Sequence, residues 1–259
     1  MLKAVLFDLD GTLMDWSAAE PWEDRESRRL AHVVEFVNQA LCPLAGVDPQ
    51  IFFATYLSQL TDAWTTGNQT LCAPSILTIM ARTLQASGVP DDRLDLEAVM
   101  HAYNWQPADG LRAYPDVLEV LPEFERHGVA MGIITNSSFS MRYRDQELQA
   151  VGLLDLFPKC RVSAVDVGYL KPHRAIFEHA LECLGVQAGE AVFIGDSLEA
   201  DVSGAQKAGL LGVLCLHESQ EEEPALDNGI IPDGIIHSFY ELLPLLDGWF
   251  PGWRNGCTR

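Results

Sequence analysis

The stretch Leu2-Lys3-Ala4-Val5-Leu6-Phe7-Asp8-Leu9-Asp10-Gly11-Thr12 is apolar to Phe7, Lys3 apart, and then presents two acids, a glycine and a threonine. A short apolar run that stops at such residues reads as a buried parallel strand. The same texture returns along the chain. Val129–Thr135 runs into Asn136-Ser137-Ser138, Arg161–Val165 is a weaker run, Ala191–Ile194 stops at Gly195-Asp196-Ser197, and Leu211–Leu216 is the fifth. Helical patterns separate them. Residues 172–184 place Ile176, Phe177, Ala180, Leu181 and Leu184 at helical spacing, with Pro172 in the first turn and Gly185 as the stop. Residues 198–208 carry Val202, Ala205 and Ala208 on one face before Gly209, and 116–127 is helical with Pro122 expected to kink or restart it. Alternation of this kind predicts an α/β fold: a Rossmann-like parallel sheet with helices on both faces and right-handed crossovers. Ligands bind beyond the carboxyl ends of such strands. The polar residues ending the first, second and fourth runs are therefore expected at one edge.

Residues 15–110 break the alternation. Arg28–Leu41, Ile51–Trp64, Ser75–Ala86 and Leu94–Tyr103 are helical in pattern, punctuated by glycines and prolines, with no strand-like run between them. The expectation is a helical domain, 15–110, inserted into an α/β domain made of 1–14 and 111–259, with links near Leu13–Asp15 and Pro107–Tyr114.

The chain has 259 residues, 17 Lys+Arg and 37 Asp+Glu, for a formal net charge of −20. That balance argues against a general nucleic-acid binder and against anionic membrane surfaces. No apolar run approaches the roughly 20 residues of a membrane span. The N-terminal run meets Asp8 too soon for a signal peptide. Six scattered cysteines form no Cys-x-x-Cys pair and read as reduced, mostly buried thiols of a cytoplasmic protein. The seven histidines show no zinc spacing. Glu218–Glu223 reads as a solvated loop, and the tail with Trp249, Phe250 and Trp253 either docks or frays.

Asp8 and Asp10 at the end of a buried strand are costly unless they bind a cation or move protons. Asp196 adds a third acid at the same edge and Asp201 a fourth. Oxygen ligands without Cys or His suit a hard ion, and Mg2+ fits best. Lys171 is one of four lysines and stands at a helix start, where acids are usual, so it points to an anionic partner. Thr135, with Asn136 and Ser137, offers donors to an anion.

Together, Asp8-Leu9-Asp10-Gly11-Thr12, Thr135-Asn136, Lys171-Pro172 and Gly195-Asp196-Ser197-Leu198-Glu199-Ala200-Asp201 resemble the four ordered motifs of the haloacid dehalogenase superfamily. The insert resembles the cap of the subfamily that includes phosphoglycolate phosphatase and β-phosphoglucomutase. Tyr114-Pro115-Asp116 looks like the return from that cap, with Asp116 in place of a glycine. The resemblance implies a phosphatase acting on a small phosphorylated metabolite. Asp8 would be the nucleophile that forms an aspartyl phosphate, and Asp10 the acid and then the base. Thr135, Asn136 and Lys171 would bind the phosphoryl group. Mg2+ would be held by Asp8, the Asp10 carbonyl and Asp196, with Asp201 supporting it directly or from behind. Dehalogenases of the family generally lack an acid at the position of Asp10. Phosphonate cleavage there needs a cap lysine, and residues 15–110 contain none. A sugar phosphomutase uses the same groups and remains the alternative, with a non-catalytic phosphate-binding or regulatory protein behind it. A monomer or homodimer is expected. Trp16, Trp22, Trp64 and Trp105 in the insert, with arginines such as Arg25, Arg28 and Arg29, are residue types that can bind a sugar or a carboxylate, but they read more simply as its core and as a solvated helix face, Arg28-Arg29 in the latter.

Overall fold

A computed structural model describes residues 1–41, 46–217 and 229–255. In chain order, β1 (Ala4–Phe7) and β2 (Met14–Asp15) precede four helices: α1 (Trp22–Phe36), α2 (Pro49–Thr70), α3 (Ile76–Ala86) and α4 (Leu96–Tyr103). Then come β3 (Arg112–Ala113), α5 (Pro115–Arg126), β4 (Ala130–Thr135), α6 (Met141–Ala150), β5 (Cys160–Ser163), α7 (Ala164–Val167) and α8 (Arg174–Leu184). The chain continues through β6 (Ala191–Gly195), α9 (Gly204–Ala208), β7 (Leu211–Cys215), β8 (Gly234–Ile236) and α10 (Phe239–Trp249).

Six strands form one parallel sheet in the order β5-β4-β1-β6-β7-β8. The period-two alternation of a strand splits β1 between two cores. Val5 and Phe7 pack with Phe124, Phe157 and Phe239 on one face, and Ala4 and Leu6 pack with Phe177 and Phe193 on the other. Every residue of β1 is fully buried, so its acids can emerge only at the strand's carboxyl end. β1 is central and pairs with both β4 and β6, which brings the ends of all three together.

Helices α1–α4 bury an apolar cluster of their own, including Leu30, Val33, Phe52, Tyr56, Met80, Leu84 and Tyr103. The two chain crossings to this helical layer are not loose links. Met14 pairs with Ala113 and Asp15 with Arg112 as a two-stranded antiparallel ribbon, β2–β3.

Several expectations need correction. α1 begins at Trp22, six residues before Arg28, because Pro21 precedes it and Glu23 and Asp24 suit its first turn. Pro172 is not in the first turn of α8. His173 caps that helix by accepting from the Ala175 N–H, and the helix begins at Arg174. The stretch 198–208 is a π-helical turn, Leu198–Ser203, followed by α9. Pro122 lies inside an unbroken α5, whose Leu118 is exposed, so water can take the carbonyl that proline leaves free. β8 and the β2–β3 ribbon were not expected. The tail docks: Trp253 is buried on Phe124 and donates to Asp247 Oδ1 at 2.8 Å. Among the described residues Cys160 and Cys215 are buried but Cys72 and Cys183 are exposed, against the expectation of mostly buried thiols. Cys42, Cys257 and Glu218–Glu223 lie outside the described residues. No helix among the described residues is long and apolar enough to cross a membrane.

Candidate active site

The carboxyl ends of β1, β4 and β6 meet as the alternation of the sequence requires. Asp8 continues the ladder by donating its N–H to the Ile194 carbonyl at 2.8 Å, which fixes its side chain over the end of β6. Lys171 reaches it from the loop before α8. Its Nζ lies 2.5 Å from Asp8 Oδ1 and 2.7 Å from Asp201 Oδ1, with all three side chains buried. Asp201 also accepts the Ser197 N–H at 3.0 Å. Gly195 makes this possible, because a Cβ there would overlap the Asp201 carboxylate. Carboxylate oxygens of Asp8, Asp196 and Asp201 all lie within 4.8 Å of one another.

Three acids against one lysine leave the cluster with excess negative charge. Burial pushes Asp8 well above the usual carboxylate range; Lys171 opposes this, and Asp201, Asp196 and Asp10 add to it. Burial, then Asp201, raise Asp196 to about 6 against the pull of Lys171. Burial works to lower Lys171, but Asp201 and Asp8 outweigh it and hold the ammonium charged. A divalent cation would relieve the surplus, and an all-oxygen donor set suits a hard ion. The residues therefore fit such an ion.

Asp10 points elsewhere. Gly11, at φ 79°, turns the chain after it, and the side chain faces the helical layer. Its Oδ1 accepts from Trp16 Nε1 at 2.9 Å and from Arg144 Nη2 at 2.5 Å. Thr135 Oγ1 lies 3.3 Å from its Oδ2. Asn136 is not a free anion donor. Its Nδ2 donates to the Lys171 carbonyl at 3.0 Å and its Oδ1 accepts the Lys171 N–H at 2.8 Å, so it clamps the lysine's backbone.

Sequence reasoning missed Arg144, which shares α6 with Arg142 and has no motif around it. It is buried, pairs with Glu147 at 3.0 Å as well as with Asp10, and sits beside a Glu147 that burial raises to about 7. It missed His217, whose Nε2 donates to the Thr12 carbonyl at 2.9 Å while the ring stacks on Tyr114. Arg29 is a correction: it is buried, not solvated, and stacks on Trp105 at 4.3 Å. Of the four tryptophans of the insert only Trp105 belongs to its apolar cluster; Trp22 is exposed, and Trp16 and Trp64 pack partly buried against the clusters of the α/β domain. All four line a cavity of about 450 Å³ that opens on Asp10 and Asn136. A larger groove of about 650 Å³, bounded by Met100, His101 and Tyr143, holds none of the motif residues.

A family model for haloacid dehalogenase-like hydrolases matches residues 2–209. Phosphoglycolate phosphatase of Pseudomonas savastanoi pv. phaseolicola is 30% identical over 93% of this chain and 79% of its own length. Glyceraldehyde 3-phosphate phosphatase of Methanopyrus kandleri is 28% identical over 95% of this chain and 97% of its own. Among solved structures, 2-haloacid dehalogenase of Pseudomonas syringae pv. Tomato DC3000 superposes with a TM-score of 0.64 at 25% identity, covering 96% of this chain and 100% of that one. The match spans Asp8, Thr135, Lys171 and Asp196, and the chain belongs to the haloacid dehalogenase-like hydrolases.

Proposed function

We propose that the protein is a Mg2+-dependent phosphatase that hydrolyses a small phosphate monoester through an aspartyl-phosphate intermediate, with helices α1–α4 as a separate cap domain over the site. The observation that carries this reading is the division of labour between Asp8 and Asp10. Asp8 is buried against Lys171 at the sheet edge, whereas Asp10 faces the cavity where a leaving group would lie. A halide leaving group needs no proton and would give Asp10 nothing to do. The relatives named as phosphatases support the same reading.

In the first step an Asp8 oxygen bonds to phosphorus, the ester oxygen leaves with the P–O bonding pair, and Asp10 gives it a proton. In the second, Asp10 takes a proton from water, the water oxygen bonds to phosphorus, and Asp8 is released as carboxylate. Lys171 favours the ionised form of Asp8 against the burial that raises it and neutralises the phosphoryl charge, with Asn136 holding the lysine. Thr135 supplies a hydroxyl at the same edge. Asp8, the Asp10 carbonyl and Asp196 would hold Mg2+, which supplies positive charge for the phosphoryl oxygens; Asp201 orients Lys171 and the Ser197 loop.

The test is release of inorganic phosphate from p-nitrophenyl phosphate with Mg2+, its loss on chelation and its return with Mg2+. Turnover unchanged after exhaustive chelation, or no hydrolysis of any phosphate monoester, would overturn the proposal.

A further inference from the structure

The cavity above Asp10 is built for more than a phosphoryl group. A water takes about 30 Å³ of liquid, so 450 Å³ is on the order of fifteen waters, far beyond the needs of a two-carbon chain. Its aromatic walls include Trp16, Trp22, Trp64 and Trp105, surfaces that cover flat or apolar carbon bodies.

Three arginines reach this cavity, and two are committed. Arg144 is held by Asp10 and Glu147. Arg29 donates to the Gln106 carbonyl at 2.5 Å, faces Glu26 at 3.7 Å and stacks on Trp105. Arg25 is different. It lies one helical turn before Arg29 on α1, with its guanidinium 5.2 Å from the Trp16 ring centroid. Its Nη1 is buried and donates to nothing among the described residues. Glu147, Glu20 and Glu26 act on it only at longer range, while burial and Arg29 both disfavour its charge. A fold gains nothing by burying a guanidinium N–H without an acceptor. A ligand oxyanion would supply the acceptor, and the planar fork of arginine matches carboxylate and phosphate alike.

We infer that the substrate's leaving group carries a second anionic group, a carboxylate or a phosphate, which Arg25 binds, on a ring-sized body held between the tryptophan walls. This rests on the phosphatase reading for the placement of the ester phosphate.

The probes are phenyl phosphate, 4-carboxyphenyl phosphate and 1,4-phenylene bisphosphate, with wild type, Arg25→Gln and Arg25→Lys. Wild type should prefer one or both of the esters that carry a second anionic group to phenyl phosphate by about tenfold or more in kcat/KM, and which one identifies the anion. Arg25→Gln should erase that ratio, chiefly through KM, and Arg25→Lys should recover part of it. A ratio unchanged in Arg25→Gln would overturn the inference. Binding of the product 4-hydroxybenzoate, measured by calorimetry against phenol, separates the two proposals. If no ester is hydrolysed yet 4-hydroxybenzoate binds wild type better than Arg25→Gln, the phosphatase reading falls and the anion subsite stands. If esters are hydrolysed but 4-hydroxybenzoate binds both proteins alike and no better than phenol, the subsite falls and the phosphatase stands.

Discussion

Arg144 on α6 donates to Asp10 Oδ1 at 2.5 Å, and the indole of Trp16 donates to the same oxygen at 2.9 Å. The carboxylate that should exchange protons is therefore held in one orientation by two donors from different elements. Arg144→Gln should slow turnover by about 10 to 100-fold for alkyl phosphates, whose leaving oxygen needs the proton. The loss for p-nitrophenyl phosphate, whose leaving group departs unaided, should be several-fold smaller. Rates measured across a series of leaving groups check this. Equal losses throughout would mean that Arg144 only supports the fold.

Asp8→Asn should lower turnover by at least about 10³-fold, since the covalent route is removed with the nucleophile. Stability should not fall, because burial already disfavours the Asp8 charge. Hydroxylamine trapping should detect an acyl phosphate in wild type and none in the variant, and the two should melt at similar temperatures.

Metal and pH should act together on stability. Burial raises Asp196 to about 6, above the ordinary aspartate value of about 4, and raises Asp8 as well. Between these limits the metal-free folded protein keeps protons that the unfolded chain has released. Its stability should therefore fall as pH rises through about 4 to 6. Mg2+ favours the ionised acids, so it should raise Tm more at about pH 7.5 than at about pH 5. Calorimetry with and without Mg2+ at the two pH values measures this. A larger metal effect at the lower pH would contradict the assignment of these acids as ligands.

The sheet was legible because β1, β4 and β6 are buried on both faces, so each reads as a plain apolar run that stops at its functional residue. The residues grouped around Asp8 were legible for a related reason: Lys171 stands just before a helix start, and Asp196 and Asp201 closely follow the end of β6. Arg144 was not, because its meaning depends on α6 bringing one side of a polar helix over Asp10, a tertiary event with no local signature. Arg29 misled because one step along α1 turns the side chain by about 100°, enough to take it from water into the core; Arg28 is exposed and pairs with Glu20, whereas Arg29 is buried. The β2–β3 ribbon was invisible because two-residue strands carry no period.

The last prediction concerns how the helical layer closes. Cys72, between α2 and α3, forms an antiparallel bridge with Tyr169, in the loop that carries Lys171 two residues later. The Leu170 N–H donates to the Leu71 carbonyl at 2.9 Å and the Ala73 N–H to the Gly168 carbonyl at 3.0 Å, so Cys72 and Tyr169 form the pair between two ladder bonds. Cα atoms of such a pair lie about 4.5 Å apart, within the reach of a disulfide. Tyr169→Cys should therefore cross-link to the exposed Cys72 and lock the layer against the Lys171 loop. If substrate enters by opening about β2–β3, the oxidised variant should lose most turnover of bulky esters, about tenfold or more, and regain it on reduction. Hydrogen exchange at Ala73 and Leu170 in the wild type should slow when a phosphate mimic binds. Oxidised protein that turns over bulky esters at the reduced rate would show that the site fills and empties without this contact breaking, and closure would then play no part in gating.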